Sequence, residues 1–115
     1  MSDGLKARYR RQIIAILGAN PRVEAVVLFG SRALGSFTPA SDVDLALYGD
    51  QLTLTDLADL QAEIEATSIP QQVDLVLAHR IDSEQLRAHL RRHGVEWLRR
   101  RPADGAGARA PGRRK

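Results

Sequence analysis

Apolar positions recur along this chain with three different rhythms. Leu5, Tyr9, Ile13, Ile16 and Leu17 fall at helical spacing on one face, which predicts a helix over about 5–17. Gly18 suits its C-terminal cap, and Asn20-Pro21 marks a turn. The next run, V-E-A-V-V-L-F over 23–29, is short, β-branched and nearly all apolar, and it reads as a strand covered on both faces. Residues 30–41 are rich in Gly, Ser, Thr and Pro and read as a loop with one helical turn after Ser31. D-V-D-L-A-L-Y over 42–48 is a second strand, ended by Gly49-Asp50. Leu57, Leu60 and Ile64 form the stripe of a helix over 53–66, with Asp56 and Asp59 favouring its N-terminal half, and Ile69-Pro70 breaks it. A third strand is expected over 72–78. Asp82, with Gln85 three residues on, is expected to cap a helix that ends near Arg92 or His93 at Gly94. Val95, Trp97 and Leu98 are expected to pack back on the core.

The order is α-β-loop-β-α-β-α, with three strands and about three helices. It predicts an α/β fold: a small mixed β-sheet flanked by helices. At 115 residues the chain holds one domain. With aromatics at 4%, its core must be aliphatic. There is no cysteine, which excludes disulfides and thiolate metal sites and makes a reducing cytoplasm the simplest location. No apolar run approaches a membrane span of roughly 20 residues, and the polar N-terminus lacks the apolar stretch of a signal peptide.

The net charge of +3 hides an asymmetry. Residues 99–115 hold seven Lys/Arg against Asp104, or +6, so residues 1–98 carry −3. The expected division is a folded domain over 1–98 and a basic, disordered tail over 99–115. The tail invites weak charge attraction to RNA or an acidic partner, or it simply keeps the chain in solution. The folded part carries no basic signature of a nucleic-acid-binding domain.

The candidate chemistry lies in F-G-S-R-A-L-G-S-F-T-P-A-S-D-V-D-L-A-L, from Phe29 to Leu47, and in the later V-D-L-V. Gly30 has no Cβ and lets a ligand approach the backbone, while Ser31 offers a hydroxyl and an N–H. An ordinary strand-to-helix turn capped by Ser31 has the same sequence. Asp42 and Asp44 stand two apart and so share one strand face. Asp is depleted in strands, and two on one face repel unless a cation sits between them; hard oxygens at that spacing suit Mg²⁺. Asp74, between Val73 and Leu75, supplies a third carboxylate for a two-metal site or a base near an attacking hydroxyl. Arg32 either neutralises triphosphate charge or is a surface arginine, and Ser41 shapes the turn before the acids. His79, His89 and His93 form no metal set; His89 and His93 read as part of a solvated basic helix face. No Ser-His-Asp order and no P-loop are present.

These residues resemble the minimal nucleotidyltransferases (MNT) of the DNA polymerase beta superfamily. The matching pieces are L-F-G-S-R-A-L-G, S-D-V-D-L-A-L and V-D-L-V, over about 22–78. The resemblance implies the nucleotidyltransferase fold, with Gly30 and Ser31 holding a nucleoside triphosphate, ATP first among candidates. It implies that Asp42 and Asp44 bind two Mg²⁺ ions and that Asp74 completes the metal site and helps deprotonate the acceptor. It further implies transfer of AMP, or another NMP, with release of pyrophosphate. Members of this branch are commonly paired with a HEPN-domain toxin, which the transferase adenylylates as antitoxin. A HEPN toxin, through a tyrosine or other hydroxyl, is therefore the expected partner. Two alternatives stay open: an antitoxin that neutralises by contact with an unused site, and a transferase acting on a small molecule such as an aminoglycoside or on a nucleic-acid end.

Overall fold

A computed structural model describes residues 3–100. The elements run α1 (Ala7–Gly18), β1 (Ala25–Phe29), α2 (Ser31–Leu34), β2 (Val43–Tyr48), α3 (Leu54–Glu65), β3 (Val73–Leu77), a 3-10 turn (Ala78–Arg80), α4 (Glu84–His93) and β4 (Val95–Arg99). The four strands form one sheet in the order β3-β2-β1-β4. β1 runs antiparallel to both β2 and β4, and β2 runs parallel to β3, so the sheet is mixed as expected. The parallel pair is joined through α3, the long crossover that such a pair requires.

Burial alternates along the strands and separates two faces. Val43, Leu45 and Leu47 of β2 and Val73, Leu75 and Leu77 of β3 are buried, together with Ile13 and Leu17 of α1 and Leu60 and Ile64 of α3. This aliphatic cluster is the core that the composition demands. The opposite face is half-open: Asp44, Asp74 and Val76 are only partly covered. β1 is not covered on both faces, because Val27 and Phe29 stay partly exposed beside α4.

The sheet has a fourth strand where three were expected. Val95–Arg99 pairs with β1 along its outer edge, with a register shift between Val26 and Val27. Trp97 and Leu98 pack on the core, but Val95 is 44% exposed. The folded body also passes the expected boundary at 98: the Arg100 backbone N–H donates to Glu24 O at 2.8 Å, and its guanidinium donates to Gly18 O. The rest of the expected tail, 101–115, lies outside the described residues. Two caps differ from expectation. Ala19, in a right-handed helical conformation, closes α1 in place of Gly18. Ser83, not Asp82, caps α4, its hydroxyl accepting from the Leu86 N–H at 3.1 Å. No helix among the described residues is long and apolar enough to cross a membrane.

α3 carries the strongest local start signal. The Thr53 hydroxyl accepts from the Asp56 N–H at 3.1 Å, and the Asp56 carboxylate accepts from the Thr53 N–H at 2.9 Å, a reciprocal capping box. Asp56 also accepts from Asn20 at 3.3 Å and Arg22 at 2.9 Å, which ties the turn after α1 to the start of α3. The Thr53 backbone bond, followed by those from the Asn20 and Thr53 side chains and the Arg22 charge, holds the Asp56 carboxyl below the usual 3.8. A depressed folded value means that Asp56 contributes its stability above the ordinary carboxylate range and loses it as pH falls through the folded value. We expect Thr53→Ala to lower stability by about 1 kcal/mol. Asp56→Ala should lower the melting temperature at pH 7, with the deficit shrinking toward pH 3. The double variant should fall short of the sum, because the two residues share one box. Thermal melts across that range check all three.

Candidate active site

β1 ends at Phe29, and the chain turns at Gly30 with φ +78° and ψ −157° into the single helical turn α2. That backbone disfavours any side chain, and a Cβ at Gly30 would overlap the Asp44 carboxylate Oδ2. Gly30 O accepts the N–H groups of Ala33 and Leu34, each at 3.1 Å, which sets the turn. Gly35, at φ +83°, closes α2.

The strand register assembles the acids. Phe29 pairs with Asp44 across β1 and β2, and Asp44 pairs with Asp74 across β2 and β3. Directly opposed residues share a face at a strand spacing of about 4.8 Å. Phe29, Asp44 and Asp74 therefore form one row on the half-open face, at the edge where Gly30 and Ser31 turn away. Asp42 lies one residue before β2 and two before Asp44, in a cleft with Pro39, Ala40, Pro70, Gln71 and Gln72. Asp74 Oδ1 accepts from the Gln72 amide at 3.2 Å. Burial, then the Asp74 and Asp42 carboxylates, push the Asp44 carboxyl above the ordinary aspartate value. The register thus sets Asp44 beside Asp74 next to the Gly30-Ser31 turn, with Asp42 two residues before Asp44.

Arg32 is built differently from either expectation. It is 2% exposed, so it is not a surface arginine. Its guanidinium donates to Ser41 O at 2.9 Å, Pro39 O at 3.2 Å and Asp3 O at 2.9 Å. Its face lies 5.3 Å from the centre of the Phe37 ring. With these donors committed to carbonyls, Arg32 holds the 36–41 loop against α2, and neutralising a triphosphate would require breaking that set. Ser41 does shape the turn: its hydroxyl accepts from the Thr38 N–H at 2.8 Å.

His89 is also not the solvated residue that its basic surroundings suggested. It is half-buried, and its Nε2 accepts the Gly30 N–H at 2.9 Å. Its ring meets Phe29 edge-on, with centroids 6.2 Å apart, and His93 at 5.5 Å. Nothing in L-R-A-H-L-R-R-H signals this, because the partner is a backbone group 59 positions away. His93 is exposed, and the His79 ring instead meets Leu52 O at 3.0 Å.

Among the described residues no three His, Cys, Asp or Glu side chains converge into a finished metal cage. The donors are nonetheless hard carboxylate oxygens, two of them opposed in one row and mutually repelling. That chemistry fits a divalent cation of the Mg²⁺ type, which takes one or two carboxylates and completes its shell with water and phosphate oxygens.

Comparison with known proteins agrees with this geometry. Residues 11–102 match the family described as Polymerase beta, Nucleotidyltransferase. No curated protein matches the chain. Among solved structures, a toxin–antitoxin with AMP-PNP is 26% identical at a TM-score of 0.66, over 79% of this chain and 73% of that one. A mutant of the MntA-HpeT toxin–antitoxin is 28% identical at a TM-score of 0.60, over 75% and 68%. A structure of the tri-AMPylated Shewanella oneidensis HEPN toxin in complex with MNT antitoxin is 23% identical at a TM-score of 0.62, over 81% and 71%. The family match runs from inside α1 past the end of β4 and includes both the Gly30-Ser31 turn and the row of acids, so the chain belongs to the polymerase beta nucleotidyltransferase family.

Proposed function

We propose that this nucleotidyltransferase moves AMP from ATP to a hydroxyl of a HEPN-type toxin, a tyrosine foremost, and thereby acts as its antitoxin in the cytoplasm. The observation that carries the chemistry is the Asp44–Asp74 row at the foot of the Gly30-Ser31 turn. The partner reading draws support from the resemblance to the MNT branch and from the toxin–antitoxin structure with AMP-PNP.

Gly30 and Ser31 hold the triphosphate, Gly30 by leaving room and Ser31 through its hydroxyl and N–H. Asp42, Asp44 and Asp74 are the residues that would hold two Mg²⁺ ions, with Asp74 the base nearest the acceptor. Bound there, Mg²⁺ offsets the charge of the phosphate oxygens and of the entering and leaving oxygens. The acceptor oxygen forms a bond to the α-phosphorus as the bond from that phosphorus to the bridging oxygen breaks. The hydroxyl proton passes to Asp74 and on to solvent, and pyrophosphate leaves with the electron pair of the broken bond. Arg32 serves from behind, by fixing the loop that leads into Asp42.

Asp42→Asn, Asp44→Asn and Asp74→Asn should each reduce label transfer from α-labelled ATP to the partner by at least about 100-fold. Full transfer by any of them would refute its assigned role. Partner binding without labelling by the wild type, under any of the four nucleotides, would instead favour neutralisation by contact.

Gly30→Ala should match these losses while the chain still folds, because its Cβ would enter the space of the Asp44 carboxylate. A melt and a transfer assay on the same sample check it.

Asp44→Asn should have a second, opposite effect. Because the folded value of Asp44 is raised, the folded chain binds that proton more tightly than the unfolded one. Stability then declines as pH rises from the ordinary aspartate value to the raised one, and it remains at that lower level at neutral pH. With divalent cations chelated, Asp44→Asn should therefore melt above the wild type at pH 7, and this advantage should vanish below the ordinary aspartate value. Added Mg²⁺ with nucleotide should raise the wild-type melting temperature and leave the variant's nearly unchanged.

A further inference from the structure

The Gly30 N–H stands at a gap in the sheet. β4 pairs with β1 only as far as Leu28, and β2 only as far as Phe29. One residue further on, neither neighbouring strand supplies an acceptor, yet a backbone N–H in a part-buried place needs one. His89 supplies it from α4, an element 59 positions away in the chain, at 2.9 Å. The acceptor is Nε2, so the ring proton is on Nδ1. The ring is placed by Phe29 edge-on and by His93 on the same helix. Leu90, the neighbouring residue, is the buried anchor of α4.

We propose that His89 is a positioning residue for nucleotide binding, acting through the Gly30 peptide. Gly30 is held from two sides: the Asp44 carboxylate occupies the space where a Cβ would lie, and His89 takes its N–H. Together they fix the plane of the Phe29–Gly30 peptide, and with it the direction in which the Ser31 hydroxyl leaves the sheet. Without the Nε2 acceptor, the Gly30 N–H loses this restraint and the turn is held less firmly before nucleotide binds. The loss should fall on nucleotide affinity, not on the chemical step, because the hydrogen bond that His89 makes to the turn is to the Gly30 backbone N–H.

This inference rests on the nucleotidyltransferase reading of the same site, and the test separates the two. His89→Leu keeps an apolar body on a partly exposed helix face and removes the acceptor. His89→Gln restores an acceptor oxygen at a similar reach. Hydrogen exchange of the Gly30 amide reads the bond directly, and titration with ATP and Mg²⁺ reads affinity without any acceptor protein. The expected result for His89→Leu is faster Gly30 exchange and a dissociation constant weakened by about 3- to 10-fold, the worth of one hydrogen bond. Its kcat on saturating nucleotide should stay within about twofold of the wild type. His89→Gln should recover both the slow exchange and the affinity.

Wild-type affinity in His89→Leu would overturn the proposal and leave the functional reading standing. Equal loss in the Leu and Gln variants would also overturn it, because ring packing and not the acceptor would then matter. Tighter binding by His89→Leu would reverse it, making His89 a competitor of phosphate for the N–H. A wild-type chain that binds no nucleotide at all would overturn the functional reading and this inference with it, even if Gly30 exchange followed the expected order.

Discussion

The position of β2 between its two neighbours is the constraint on which the site depends. Antiparallel pairing sets Phe29 against Asp44, and parallel pairing sets Asp44 against Asp74. A slip of one residue in either ladder would send Asp44 or its partner to the opposite face, into the packed aliphatic side. The register is specified by that packing: Val43, Leu45 and Leu47 have nowhere else to go once Val73, Leu75 and Leu77 line up beside them. The hydrophobic core thus does more than stabilise the fold. It chooses which face the carboxylates occupy, and the acids accept their mutual repulsion as a consequence.

A second device joins the two halves of the site. The turn at Gly30-Ser31 and the acids at Asp42 and Asp44 are separated by the 35–41 loop, rich in residues that favour no regular structure. Arg32 spans that separation with a buried fork bonded to the Ser41, Pro39 and Asp3 carbonyls. Arginine is suited to this because its planar, multi-donor head can satisfy several carbonyls at once. Its charge is compensated by backbone dipoles, with no carboxylate among the contacts described for it. The residue next to the Gly30-Ser31 turn therefore contributes geometry, with its donors turned to backbone carbonyls.

Much of this was legible in the sequence, for physical reasons that differ from element to element. α3 announced itself through Leu57, Leu60 and Ile64, and the acids of β2 and β3 through their alternation with buried neighbours. The Gly30-Ser31 turn was legible because few residues other than glycine tolerate a positive φ. Three features were not. β4 mixes Glu96 and Arg99 with Trp97 and starts directly after a helix, so only its pairing with β1 makes it a strand. Arg32 gave no sign of burial, because its partners are carbonyls, which every residue carries. The bond from Gly30 to His89 joins a backbone group to a distant helix, and side-chain patterns are blind to such pairs.

The two faces of the sheet contribute differently to stability. One face is packed with aliphatic side chains and closed by α1 and α3. The other holds Asp44 where burial, then the Asp74 and Asp42 carboxylates, disfavour its ionisation. On the proposed function, a ligand that favours the ionised Asp44 would stabilise the fold at that position, and affinity and stability of the sheet would be linked through one residue. The same face is only half covered, with α4 along β1 and Asp74 and Val76 of β3 partly exposed. On the proposed function, a half-covered face without enclosing walls suits a large partner presenting its hydroxyl better than a small molecule.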